Sequence, residues 1–216
     1  MMAARSTKGA APPGVALFLG GMAMLAALAF PAVALAQAPD LERAKKIVGG
    51  NCFLCHGADG ESSSEVFPKL GAQNADYLAK QLANFKSGAR KSTAMSGMVR
   101  DLSDQDFASL GAYFAAKPPT THEVKDWDLS GVGRYVYLQG NRWSGVAACQ
   151  SCHGASGHGT ATLPRLAGQN AIYLETQIKQ FNARERTNDN EVMHVIASKM
   201  SELEIKAVSE YLSGQP

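Results

Sequence analysis

The sequence predicts an all-α protein made of two tandem copies of one small domain, and three observations lead there. A Cys-x-x-Cys-His motif occurs twice, as CFLCHG at 52–57 and CQSCHG at 149–154. The residues after each copy match in register: Pro68, Leu70, Gln73, Asn74, Tyr77, Leu78, Gln81 and Phe85 answer to Pro164, Leu166, Gln169, Asn170, Tyr173, Leu174, Gln177 and Phe181 at a constant offset of 96. Self-similarity at a fixed period is the mark of a repeated unit. Apolar residues within each copy recur at helical spacing, and no segment alternates as a strand would.

In chain order, Arg5 and Lys8 precede the apolar run VALFLGGMAMLAALAF, then Pro31 and the triplet Ala34-Leu35-Ala36. Basic start, apolar core and A-x-A end are the layout of a secretory signal peptide. An uncleaved anchor is the alternative, although the run is short beside the roughly 20 residues of a membrane span. Residues 1–36 are therefore read as signal peptide, 37–117 as the first domain, 118–126 as a linker and 127–216 as the second domain. Short helices are expected around 41–50 and 129–139, ahead of each motif. Asn74 is a plausible N-cap for a helix whose Tyr77, Leu78, Gln81, Leu82 and Phe85 form one stripe. Ser103 and Ser201 each open a terminal helix, and Ser201 with Glu204 forms a capping box. Phe107, Leu110, Gly111 and Phe114 then follow amphipathic spacing. KPPTTHEVKD, from Lys117 to Asp126, is a proline-bearing polar connection.

Without its signal the chain carries 19 basic and 19 acidic residues. No basic patch of the kind nucleic acid requires is in view. Export favours disulfides, yet Cys52, Cys55, Cys149 and Cys152 are the only cysteines and all lie in the two motifs. A domain of roughly 80 to 90 residues is near the size where a core needs an added staple. A large apolar cofactor at its centre would supply one.

Cysteines at i and i+3 with histidine at i+4 share one side of a helical turn. That geometry sets two thiols against the two vinyl groups of a haem with the imidazole under the iron, so the motif reads as covalent haem attachment. A structural zinc site wants two close ligand pairs, and Cys55 and Cys149 are too far apart in sequence for ribbon or finger spacing. A thioredoxin-like dithiol belongs in a βαβ setting, absent here. His56 and His153 are then the proximal ligands. Met95 and Met193 lie eight residues before Ser103 and Ser201, the only methionines that coincide between the repeats. A lone methionine is usually core filler, but a matched pair, one per motif, reads as the distal iron ligands. Met98 and His194 are the runners-up. A ligating imidazole donates its other N–H to an outer partner, and the carbonyls of Pro68 and Pro164 are candidates. His122 and His158 read as ordinary loop histidines, Tyr77, Phe85, Tyr173 and Phe181 as core aromatics, and Trp127 and Trp143 have no assigned role.

Together CxxCHG, FPKL and LPRL, the QN-YL--Q---F stripe, RTND and LSDQD--SL-AYF resemble the dihaem cytochrome c4 family, from about residue 40 to the end. The resemblance implies two class I cytochrome c-like haem domains related by a pseudo-twofold axis, each iron held by His and Met. It also implies two covalently bound haem c groups, with their propionates approaching across the domain interface, and a periplasmic electron carrier. The stretch before Met95 is shorter than in many relatives. NDNEVMHV carries one methionine where relatives often show two.

The expected function is a periplasmic shuttle between respiratory partners, toward a terminal oxidase from a quinol-oxidising complex or dehydrogenase. Membrane association would come through those partners or an uncleaved N-terminus. The first alternative is the cytochrome subunit of a dehydrogenase complex such as flavocytochrome sulfide dehydrogenase. The second is a dihaem peroxidase-type enzyme, which needs an iron that is open or can be opened.

Overall fold

The structure, a computed structural model, describes residues 37–216 together with Gly9, Ala10 and Gly14. The expected signal peptide or anchor otherwise lies outside the described residues. Asp40 opens the first helix, its side chain accepting from the Arg43 N–H at 2.9 Å. Helix α1 (Leu41–Ile47) runs through a π-helical segment (Val48–Cys52) into α2 (Phe53–His56). After a loop come α3 (Ala75–Ser87), α4 (Thr93–Val99) and α5 (Asp104–Ala115). The second half repeats the order with α6 (Trp127–Gln139), α7 (Gln150–His153), α8 (Ala171–Asn182), α9 (Val192–Ala197) and α10 (Glu202–Ser213). Among the described residues the only β pairing is an isolated bridge, Asn141 to Val146. That bridge closes a loop between α6 and α7, whereas in the first half helix runs unbroken into the motif.

Each half buries its own core. In the second, Val136 and Tyr137 of α6 meet Leu174 of α8 and Ile205, Val208 and Leu212 of α10. In the first, Leu78, Leu110 and Phe114 close on Ala44 and Val48, while Phe85, Val99 and Phe107 form a second cluster. Gly133 is where α6 crosses α10: a Cβ there would collide with the Ala207 carbonyl and approach Tyr211. The helices can touch backbone to backbone only because that position has no side chain.

Ser201 and Glu204 make the expected capping box, and Ser103 makes one with Asp106. Asp106 also takes the Arg43 guanidinium at 2.6 Å, tying α1 to α5. Arg43 is the main reason the Asp106 carboxyl drops from 3.8 to about 2; the Ser103 N–H and hydroxyl add to it, against the cost of burial.

The halves meet through reciprocal hydrogen bonds. Gln73 donates to the Arg165 carbonyl at 2.9 Å and accepts from the Arg165 N–H at 2.7 Å. Gln169 does the same to Lys69, at 2.9 and 2.8 Å. Asn74 donates to the carbonyls of His158 and Leu163, and Asn170 to those of Ser64 and Phe67. The glutamine bonds and the Asn74–Leu163 and Asn170–Phe67 bonds recur with the halves exchanged, which is the signature of an isologous, pseudo-twofold contact; the bonds to His158 and Ser64 fall at positions that do not correspond. Asn74 is thus the N-cap of α3 by position only: its side chain makes no cap bond and is spent on the other half. The linker is held as well. His122 bonds through its N–H to the Ser213 carbonyl and through Nε2 to Asn170, and Lys125 pairs with Glu65 at 2.7 Å.

Gly133→Ala should lower unfolding stability by about 2 kcal/mol or more, as forced overpacking does, measured by denaturant unfolding of the haem-loaded protein. Because the folded Asp106 value lies below the unfolded one, its stabilisation is present above about pH 4 and fades as pH falls toward about 2. Asp106→Asn should remove that part of the acid-unfolding limb while leaving the neutral-pH midpoint's response to further alkalinisation unchanged.

Candidate haem centres

Each attachment motif sits on a single helical turn. Cys52 ends the π segment and Cys55 and His56 complete α2; Cys149 caps α7, which carries Cys152 and His153. Gly57 and Gly154 end these turns with φ of 75° and 80°, backbone that glycine adopts without penalty. The chain then doubles back over the histidine. The four cysteines are unpaired thiols. Burial is the main reason the Cys149 thiol is pushed up to about 11, and it raises Cys52 too.

Both histidines are buried. His56 Nδ1 lies 2.9 Å from the Pro68 carbonyl, and His153 Nδ1 lies 3.3 Å from that of Pro164. Burial pushes both imidazoles below their ordinary value, opposed by those proline carbonyls. The rings are thus neutral, with Nδ1–H donated to carbonyl oxygen. Nε2 of neither ring is hydrogen-bonded among the described residues, so the lone pair a metal needs is left over. Phe67 meets the His56 ring edge-on at 6.3 Å.

Met95 is half-buried on α4 and packs against the Phe85, Val99 and Phe107 cluster. Met193 is half-buried on α9. A side chain from the loop before fixes the backbone of each: Ser92 accepts from the Met95 N–H at 3.2 Å, Asp189 from the Met193 N–H at 2.6 Å. Asn190 and Glu191 turn the second loop with φ of 57° and 65°. The runners-up are placed differently. Met98 is 53 % exposed. His194 has both ring nitrogens engaged, Nδ1 with the Phe181 carbonyl at 3.0 Å and Nε2 with Arg184 at 3.2 Å. No cluster of three or more His, Cys, Asp or Glu able to hold a metal ion forms among the described residues.

Some residues carry more than the sequence assigned them. Tyr77 and Tyr173 lie at the interface, accepting from Arg186 and Arg90 of the opposite half. The arginines, buried and matched at the same offset of 96 as the stretch from Pro68 to Phe85, were legible as a repeated pair but draw no attention as isolated charges. Trp143 is 85 % exposed, with the Arg142 guanidinium 4.6 Å from its ring, and Trp127 is exposed at the start of α6.

A cysteine pair and a buried imidazole with a free Nε2, presented twice by symmetric helical halves, fit covalent haem and define a dihaem c-type cytochrome. Comparison with known proteins agrees. The family described as cytochrome c matches residues 138–215. That described as cytochrome c oxidase, cbb3-type, subunit III matches residues 39–114. Cytochrome c4 of Pseudomonas aeruginosa is 41 % identical over 167 residues, covering 76 % of this chain and 83 % of the relative. The thiosulfate dehydrogenase electron acceptor of Stutzerimonas stutzeri is 36 % identical over 188 residues, covering 82 % and 87 %. The crystal structure of reduced recombinant cytochrome c4 from Pseudomonas stutzeri superposes with a TM-score of 0.78 at 36 % identity, covering 83 % of this chain and 100 % of that one. The chain belongs to the cytochrome c4 family. It is a dihaem electron-transfer cytochrome with two covalently bound haem c groups and redox proteins as partners.

Replacing Cys149 and Cys152 together with serine should leave a chain carrying one haem, read as the loss of one haem mass and of about half the pyridine haemochrome absorbance, since thioether bonds are what retain the group.

Proposed function

We propose that the protein is a periplasmic electron shuttle in which His56 and Met95 hold one iron and His153 and Met193 hold the other. Residues 37–117 and 127–216 are then the two haem domains, joined by 118–126, with residues 1–36 directing export. The observation that carries this reading is the paired placement of Met95 and Met193. Each is half-buried, each has its backbone N–H tied by a preceding side chain, and each follows the same helix of its half. An exposed Met98 and a doubly engaged His194 compete poorly.

When bound, haem supplies a one-electron ferric–ferrous couple. The chain's own part is to hold coordination constant. The Pro68 and Pro164 carbonyls fix tautomer and ring direction, which raises the basicity of the ligating nitrogen. A thioether supplied by Met95 or Met193 would favour the reduced iron and raise its potential. Were His56 and Met95 to hold one haem iron and His153 and Met193 the other, no ligand place would be left for a substrate, which argues against a peroxidase-type role. No helix among the described residues is long and apolar enough to cross a membrane.

The direction of traffic has two readings. One is delivery toward a terminal oxidase. The other, favoured by the resemblance to thiosulfate dehydrogenase electron acceptors, is service as acceptor for a dehydrogenase. Steady-state reduction by a purified thiosulfate dehydrogenase, set against oxidation by a haem–copper oxidase, separates them.

Met95→Ala and Met193→Ala should each convert one haem of the two to a high-spin form that binds carbon monoxide. About half of the methionine–iron charge-transfer band should vanish in each variant and all of it in the double variant. A ferric spectrum unchanged by both substitutions rules out this ligand set.

A further inference from the structure

The second half carries a loop that neither core packing nor iron ligation uses. It lies between α6 and α7, closed by the Asn141–Val146 bridge, where the first half has continuous helix. Its backbone is fixed. The Asn141 side chain accepts the N–H groups of Trp143 at 3.0 Å and Ser144 at 3.4 Å. It donates to Glu204 at 2.8 Å, which ties the loop to the start of α10. Val146, at the far end, is buried in the cluster that Cys149 packs against. From this frame Trp143 stands out into solvent, 85 % exposed, six residues before the first cysteine of the motif.

A single apolar residue on a surface is ordinary, so the neighbours decide what this one is for. The Arg142 guanidinium lies 4.6 Å from the indole ring, and Lys199, exposed just after α9, donates to the Gly145 carbonyl at 3.3 Å. Neither cation is paired with a carboxylate among the described residues. Glu202, at the start of α10, is held by Lys179 instead, at 2.7 Å. Glu204, the one carboxylate hydrogen-bonded to the loop, is 9 % exposed and taken up by Asn141 and Ser201. On the Lys199 side the surface continues into Val192 and Val195 of α9, both exposed. The loop thus presents an aromatic ring flanked by cations only.

Charge and place together set what covers it. Two unpaired cations beside an aromatic attract an acidic surface and repel a second copy of the same patch. An anionic lipid surface has the charge but takes no electron, and a position this close to the Cys149–His153 turn serves a partner that exchanges one. Tryptophan and arginine are the side chains that concentrate binding energy in a few contacts, which suits the small, brief encounters of redox proteins.

We propose that Trp143, with Arg142 and Lys199, is the docking point for an acidic redox protein that exchanges electrons with the second haem. The indole enters the partner's surface while the two cations pair with carboxylates at its rim. Each encounter passes one electron: the haem iron goes from ferrous to ferric as the partner's acceptor is reduced, or the reverse, and no atom is transferred. The proposal rests on the electron-carrier reading and names the face that serves it.

The test measures second-order electron-transfer rates of the haem-loaded protein with a purified thiosulfate dehydrogenase and with a haem–copper oxidase, over a range of salt concentrations. Exchange by the unmodified protein checks the carrier reading by itself. Trp143→Ala should slow exchange with one of the two enzymes by about tenfold, the order expected for loss of an aromatic anchor, while haem content and both potentials stay as they were. Arg142→Glu and Lys199→Glu should slow the same reaction and flatten its decline with added salt. Trp143→Phe should keep most of the rate. Rates with both enzymes that are unaltered by Trp143→Ala and Arg142→Glu overturn the proposal. So does binding of the unmodified protein to phosphatidylglycerol vesicles that Trp143→Ala abolishes, which makes the patch a lipid contact. A dimer in sedimentation velocity that the same substitution dissolves overturns it as well.

Discussion

Everything in this molecule is arranged about one exchange: a glutamine from each half reads the backbone of the other. The side chains of Gln73 and Gln169 each donate to and accept from a single residue across the interface, as a neighbouring strand would. Both glutamines are buried, where an unmatched amide costs more than a matched one gains. That asymmetry fixes the relative position of the halves. The residues they read, Lys69 and Arg165, directly follow the prolines whose carbonyls hold the two histidines. Joining the halves and orienting the imidazoles are thus done by the same short loops.

The helices were readable because their signals are local. The stripe of α3, the serine caps of α5 and α10 and the glycine ends of the motif turns depend on residues a few positions apart. The Ser103 cap was legible, but its partner was not. Asp106 completes the box and is also held by Arg43, 63 residues away in sequence. Asn74 failed as a helix cap for the opposite reason: its side-chain amide N–H groups are committed to two remote carbonyls, and its oxygen accepts no N–H of the helix.

The chemistry of the site was legible where a duplicated pattern exposed it. Two motifs name the thiols and imidazoles, and register singles out the methionines. Geometry adds what spacing cannot contain, such as the exposure of Met98 and the engagement of both nitrogens of His194. Arg90 and Arg186 were legible as a repeated pair, but their contacts were not, because each finds its tyrosine only in the opposite half. The same holds for Tyr77 and Tyr173, whose rings suggest core filling and whose hydroxyls face a cation.

The halves differ most in how the chain enters the motif. In the second, the loop from Gly140 to Cys149 can lengthen or shorten without turning α7, because the bridge from Asn141 to Val146 closes it independently. In the first, a widened turn at Val48–Cys52 couples α1 rigidly to α2. Deleting one residue there would rotate Cys52, Cys55 and His56 by roughly 100° about the helix axis, carrying the thiols off the pocket. Length variation in descendants of this duplicated ancestor should therefore accumulate upstream of one motif and be purged upstream of the other.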